Sequence, residues 1–253
     1  MMFALKQASW MDKETRTLSR QQLSRVKLRL FLPDNASFGN FDTKSEKGLL
    51  AYVAIHTASF DASLRAPQPW LGSALDTDCT LDVSTNTIFL PFLLFNFSAL
   101  AVDQLLSFDL PRAGLRLAKC MATLLLGRAN LWSNASREGL KRTKRCISIQ
   151  HGSFQHLSRS VADSLALEPV LRLFRANVHR RRRQDLRLRN AEDLSAEHMF
   201  FVYYASSFCR QDDDVVRVNI PLWNSVEFHR AFECRPGSPM RPDRVCSLWA
   251  TLT

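Results

Sequence analysis

Between Ala113 and Leu126 the chain is strongly apolar, and Leu117, Met121 and Leu124 fall on one stripe of a 3.6-residue period. A helix with that much apolar surface has to be buried, so the rest of the chain must be arranged around it. The material for this is present. The chain has 253 residues, 46% of them hydrophobic, enough for one large domain or two small ones. The longest apolar stretch, Ile88 to Leu100, is interrupted by Pro91, Asn96 and Ser98. It falls short of the roughly 18 apolar residues that a membrane span needs, and it reads as core. Met1 to Trp10 holds only a short apolar stretch, with no visible secretory signal.

The other elements follow from pattern. Ser9 to Leu32 reads as a helix, with Ser9 and Asp12 able to form a capping box and Leu23, Val26 and Leu30 at helical spacing. Pro33-Asp34-Asn35 stops it, a polar loop follows through Lys47, and a second helix is expected near Gly48 to Leu64. Leu81 to Leu90, with Val83, Thr85, Thr87, Ile88 and Phe89, reads as a strand. Trp132 to Cys146 is an amphipathic basic helix. Ser160 to Val178 is helical with Pro169 starting or kinking it. Ser195 is an N-cap for a helix bearing Met199, Phe200, Tyr203, Tyr204 and Phe208. From Val215 onward the chain reads as turn-rich and irregular. The run Arg180-Arg181-Arg182-Arg183 reads as a solvated helix end, where positive charge suits the dipole.

Lys and Arg total 34 against 24 Asp and Glu, a formal net charge of +10. Such a balance suits an anion binder, a nucleic-acid binder or a soluble protein with a basic surface. No nucleic-acid module accompanies the charge, so no specific nucleic-acid partner is expected. The six cysteines form no C-x-x-C pair, which argues against a structural zinc cluster. Asn35-Ala36-Ser37, Asn96-Phe97-Ser98 and Asn134-Ala135-Ser136 fit the N-glycosylation pattern, so Asn35, Asn96 and Asn134 are candidate sites.

Four separated blocks resemble the neprilysin and endothelin-converting-enzyme family of zinc metallopeptidases. Trp10-Met11-Asp12-Lys13-Glu14-Thr15, running on to Leu32-Pro33, is similar to the family's W-M-D-x-x-T helix. Asn86-Thr87-Ile88-Phe89-Leu90-Pro91 resembles N-E-I-V-F-P. Leu131-Trp132-Ser133-Asn134-Ala135-Ser136-Arg137, ending at Arg145-Cys146, resembles the W-W-T-x-E-T-R helix and its cysteine. The strongest block runs from Glu197-His198-Met199-Phe200-Phe201 through Arg217-Val218-Asn219, Asn224-Ser225 and Cys234 to Cys246 and Trp249, and is similar to the family's C-terminal signature. The resemblance covers Trp10 to Trp249 and implies a mainly α (α+β) fold with a short sheet. The fold would be that of the C-terminal catalytic half of a neprilysin-type, thermolysin-like metallopeptidase.

The chemistry of that family needs residues that this chain lacks. A hydrolytic zinc takes three protein ligands and keeps a fourth position for water, whose pKa it lowers. Two ligands come from H-E-x-x-H, because residues four apart share a helix face. The six histidines stand at 56, 151, 156, 179, 198 and 229; none precedes a glutamate and no two are four apart. By order the motif falls on Ala113 to Leu126, where Lys119, Cys120, Met121, Ala122, Thr123 and Leu124 stand. The family's third ligand matches Arg159, whose charge would repel zinc. Asp163 matches the aspartate that orients the first zinc histidine, and capping the helix from Ser160 is its expected role here. Arg217 matches the arginine that grips the substrate backbone, or it ties loops together. Asp78-Cys79-Thr80-Leu81 falls where the substrate-docking strand belongs, with a poor match. His151 and His156, about 140° apart on a helix, make a poor metal pair.

The resemblance therefore implies a single degenerate peptidase domain over residues 1–253, truncated at the N-terminus. Its expected function is that of a catalytically inactive homologue with no bound cofactor, zinc being the cofactor of active members. Such a chain would bind a peptide or protein in an extracellular or membrane-associated setting. The alternatives are an active zinc endopeptidase acting on extracellular peptides and a basic anion-binding protein. The resemblance also pairs Cys146 with Cys246. It leaves Cys209 and Cys234 without partners and names none for Cys79 and Cys120, the latter reading as a small buried hydrophobe.

Overall fold

The computed structural model describes residues 1–2, 4–30, 76, 78–91, 94, 106–151, 157–180, 187–209, 214–246 and 248–249. The expected helix near Gly48 to Leu64, the loop through Lys47, the arginines at 181–183 and the sequons at Asn35 and Asn96 lie outside these residues. The described chain is mostly helical with one small sheet. Its elements are α1 (Lys13–Ser24), β1 (Lys27–Leu30), β2 (Thr80–Asp82), β3 (Thr87–Leu90), α2 (Leu106–Asp109), α3 (Leu115–Gly127), α4 (Asn134–His151), α5 (Leu157–Arg180), α6 (Ala196–Ser206), α7 (Asp214–Trp223) and α8 (Val226–Ala231).

The apolar segment becomes α3, and it is the axis of the molecule. Ala122 and Leu125 enter a cluster with Leu5, Met11, Trp132, Val161 and Trp249. Leu115 and Ala118 enter a second with Leu171, Phe200, Tyr204 and Phe228. Cys120 enters a third with Ile88, Leu90 and Leu94 of the sheet side. One helix feeding three clusters explains why its sequence is apolar on more than one side.

Two expected elements change at long range. The helix expected over Ser9 to Leu32 ends at Ser24, and its tail becomes β1. The alternating Lys27-Leu28-Arg29-Leu30 pairs in parallel with Thr87 to Leu90, and its ladder bonds come from residues about 60 positions away. Asn86 fixes the switch: its side-chain amide donates to Gln22 O at 3.1 Å, and its carbonyl accepts from Lys27 N at 3.0 Å. The strand expected over Leu81 to Leu90 is instead a hairpin, with β2 antiparallel to β3 and Leu81 opposite Ile88. The turn forms because the Asp82 carboxylate accepts from Ser84 N at 2.8 Å, Ser84 Oγ at 2.6 Å and Thr85 Oγ1 at 2.7 Å. Those bonds pull the Asp82 carboxyl down to about 2. Asn86 takes the left-handed φ of 58° that closes the turn. In the described sheet β3 lies between β1 and β2.

The tail is also more regular than its composition suggests. α7 and α8 occupy part of the region read as irregular after Val215, with Pro221 inside α7 and Ser225 capping α8 through Phe228 N at 3.2 Å. Ser195 caps α6, and His198 closes the box by accepting from Ser195 N at 3.1 Å. The cap of α1 is Asp12 rather than Ser9: Asp12 Oδ1 accepts from Thr15 N at 2.7 Å. Asp12 also bonds the Ser133 hydroxyl, and its own amide donates to Ser136 Oγ at 3.0 Å. Two separated blocks of the resemblance therefore meet at the N-termini of α1 and α4, where the Trp10 and Trp132 rings pack at a tilt of 49° with centroids 5.7 Å apart. Cys146 at the far part of α4 is disulfide-bonded to Cys246, with Cα atoms 5.8 Å apart.

Candidate functional site

α3 and α5 pack side by side, and α3 presents two cations, Arg116 and Lys119, on the side that faces the sheet and α5. These are the charged side chains of an otherwise apolar helix, and each finds an acid. Lys119 Nζ lies 3.2 Å from Asp78 Oδ2, just before β2, and 4.0 Å from Asp163 Oδ1 on α5. Arg116 lies 3.4 Å from the same Asp78 oxygen and donates to Ser207 O at 3.1 Å. On the other side of Asp163, Arg217 Nε of α7 lies 3.2 Å from Oδ2. The result is one chain of alternating charge, Arg116–Asp78–Lys119–Asp163–Arg217, crossing from the strand to α7.

Asp163 is the buried centre of this chain, its side chain only 3% exposed. It does not cap a helix, as the sequence suggested. α5 begins at Leu157, a turn and a half earlier, and places Asp163 inward. Burial pushes its carboxyl above the usual value, against the pull of Lys119 and Arg217. Tyr204 is buried beside it, which raises the phenol; its hydroxyl donates to Arg217 O at 2.9 Å. The Arg217 guanidinium stacks over Phe208 at 4.6 Å from the ring centroid. Both features hold Arg217 in place. Its contacts join α5, α6 and α7.

Next to Lys119 the sequence expected a buried hydrophobe at Cys120. The structure instead bonds Cys120 to Cys79, with Cα atoms 6.4 Å apart, linking α3 to the segment entering β2. The sequence carried no spacing signal for this pair, because 41 residues separate the two cysteines. It placed Asp78 at a poorly matched substrate-docking strand and did not find it as the partner of Arg116 and Lys119. The usable signal was the pair of cations at i, i+3 on an apolar helix, which requires an acidic partner. Cys209 and Cys234 form no disulfide.

Zinc, the metal that the resemblance implies, does not fit this donor set. Lys119 faces Asp163, the residue that the resemblance matches to the aspartate orienting the first zinc histidine. Thr123, one turn on, and Arg159, one turn before Asp163, are both exposed and offer no imidazole or carboxylate. An ammonium beside Asp163 has no lone pair to give and repels a dication. Of the six histidines, His198 and His229 have described side chains. His198 Nε2 lies 2.5 Å from Ala231 O, and His229 is buried, which lowers its pKa. The side chains of His151 and His156 lie outside the described residues. Asn134 is exposed at the start of α4, while Ser136 of the same sequon is fully buried.

Among known proteins, the sequence profile of peptidase family M13 matches residues 128–248, starting just after α3. Neprilysin-1 of Caenorhabditis elegans is 25% identical over 145 residues, covering 47% of this chain and 19% of that protein. In structure, a chain of the Haemonchus galactose-containing glycoprotein complex superposes with a TM-score of 0.76 at 16% identity, over 98% of this chain and 48% of the other. The Mycobacterium tuberculosis zinc metalloprotease Zmp1 superposes with a TM-score of 0.65 at 12% identity, over 92% of this chain and 42% of the other. The matched part thus spans about a fifth of the worm protein and less than half of each solved chain.

Proposed function

We propose that this chain, a homologue of the neprilysin-type zinc metallopeptidases of family M13, is a non-hydrolytic version of their catalytic fold that binds a peptide or protein without cutting it. The observation that carries this reading is Lys119. Its ammonium lies between Asp78 and Asp163, where hydrolysis would require a neutral metal ligand. Helix α3 then lacks the general base as well, because Cys120, beside Lys119, is spent in a disulfide. Without a ligand set at these described positions, no metal-activated water would form there to attack the amide carbonyl.

A binding role fits what remains. β2 pairs with β3 on one side and has no partner on its other side among the described residues, the arrangement that an extended peptide can augment. Two disulfides suit an oxidising compartment and support an extracellular or membrane-associated setting. No helix among the described residues is long and apolar enough to cross a membrane. Asn134 is the described sequon asparagine that a glycan could occupy.

Metal analysis of the dialysed, oxidised protein is expected to find no stoichiometric zinc. A fluorogenic peptide assay is expected to show no cleavage that a chelator suppresses. Lys119→His is expected to change neither result, because one imidazole leaves two ligands missing. One zinc per chain together with chelator-sensitive cleavage would overturn the proposal.

A further inference from the structure

The excess positive charge of the chain is concentrated on one helix. α4 carries Arg137, Lys141, Arg142, Lys144 and Arg145 against a single acid, Glu138, a net +4 on 18 residues of a chain whose total is +10. Cations on the neighbouring α5 are matched: Arg172 lies 2.7 Å from Glu168, and Arg175 is held by Glu197 and Glu227. On α4, Glu138 pairs with Lys141 at 2.7 Å, and no carboxylate among the described residues pairs with Arg142, Lys144 or Arg145.

The placement is regular. Arg137, Lys141, Lys144 and Arg145 stand at i, i+4, i+7 and i+8, a stripe about 12 Å long that spans roughly 100° of the helix surface. Lys144 is half-buried; the other three, with Arg142 beside them, are exposed. Like charges at these spacings weaken a helix, and an ordinary solvated face interleaves acids to avoid it. The opposite face of α4 is fixed. Leu140 and Ile147 are in the core, Gly139 lies against Trp10, and Cys146 is bonded to Cys246. The cations therefore stand on a rigid frame, and a ligand bridging them has little to order besides side chains.

We propose that this face of α4 binds a linear sulfated polysaccharide of the glycosaminoglycan class, whose sulfate and carboxylate groups lie along the stripe. Each cation donates N–H bonds to those oxygens, and arginine can do so in pairs. A lipid surface fits less well. A helix lying on a membrane needs an exposed apolar face, and of the large apolar side chains of α4 only Ile149 is exposed. The two disulfides support an extracellular setting, which favours a polysaccharide over a nucleic acid. The inference rests on that setting and is independent of whether the fold hydrolyses peptides.

The test uses the full oxidised chain made without glycosylation, so that no glycan on Asn134 crowds the face. The probe is a heparin octasaccharide, titrated by calorimetry at about 0.15 M salt. R137Q/K141Q/K144Q/R145Q is expected to bind about 20-fold or more weakly than wild type. It should also lose roughly 3 units from the slope of log K against log salt. R20Q/R25Q/K27Q/R235Q removes the same charge from exposed positions elsewhere and is expected to stay within about 3-fold of wild type. In the unsubstituted chain the octasaccharide should protect Lys141 and Lys144 from acetylation while Lys27 stays reactive, as mapped by mass spectrometry. No folding defect of a variant can mimic that readout. Equal weakening by the two variants, unprotected Lys141 and Lys144, or no binding by wild type overturns the inference. So does tighter binding to phosphatidylserine vesicles or to a DNA duplex than to the octasaccharide, which would assign the face to a lipid surface or a nucleic acid.

Discussion

Replacing Arg217 by methionine isolates the buried charge of Asp163. The carboxylate is 3% exposed and Arg217 only 11%, so removing the guanidinium leaves a charge that water cannot reach. Breaking a buried pair by deleting one partner costs about 3–5 kcal/mol. Lys119 remains, but at 4.0 Å and itself shared with Asp78, so it compensates only in part. Loss of the stacking on Phe208 adds about 0.5–1 kcal/mol. The methylene packing and the Arg217 carbonyl that receives the Tyr204 hydroxyl survive the substitution. A loss of roughly 3–4 kcal/mol is therefore expected at neutral pH, a large part of the usual 5–15 kcal/mol of domain stability. Urea unfolding followed by circular dichroism measures it, alongside Asp163→Leu and the double variant. The double variant should be close to wild type, because replacing both partners with apolar groups removes the stranded charge. The loss in Arg217→Met should also shrink as pH falls, since protonating Asp163 neutralises the buried charge. An Arg217→Met variant within about 0.5 kcal/mol of wild type, the behaviour of a surface substitution, would refute the reasoning.

Gly139→Ala should destabilise the fold by about 1–3 kcal/mol, because its Cβ would stand 2.5 Å from the Trp10 carbonyl oxygen, a backbone atom that cannot turn away. Equilibrium unfolding measures this, and an unchanged midpoint would contradict the close approach of α4 to the N-terminal segment. Burial, with Arg241 adding to it, lowers the His229 pKa below its ordinary 6.5, so the unfolded chain binds the proton more readily than the native one. Stability contributed by this group is full above about pH 6.5 and is lost as pH falls toward the native pKa. Thermal midpoints at several pH values should show a flatter acid limb for His229→Gln, and parallel curves for the two proteins would exclude the linkage.

Much of the frame is legible from local pattern alone. The run from Ala113 to Leu126 had to be a buried helix, because no polar stripe on it is wide enough to face water, and α3 is the element that all three clusters share. Ser195 announces the start of α6 because a serine hydroxyl satisfies an otherwise unbonded amide, and the bond to His198 N is made. The missing H-E-x-x-H is likewise a property of the sequence, readable without coordinates. Contact between distant segments decided the rest. Leu23, Val26 and Leu30 satisfy a helical period, yet Lys27–Leu30 is a strand because β3 supplies its hydrogen bonds and a window of a dozen residues cannot register a partner about 60 positions away. Asp163 looked like a cap because it is a polar residue near a helix start. It is an ion-pair centre because α3 and α7 bring Lys119 and Arg217 to it. Cys120 looked like a small apolar filler because nothing near it in the chain is a cysteine, and only the approach of the β2 segment to α3 makes it half of a disulfide. Periodicity and capping act over one or two turns and are written locally, whereas charge pairing and covalent cross-links depend on which surfaces the folded chain brings together.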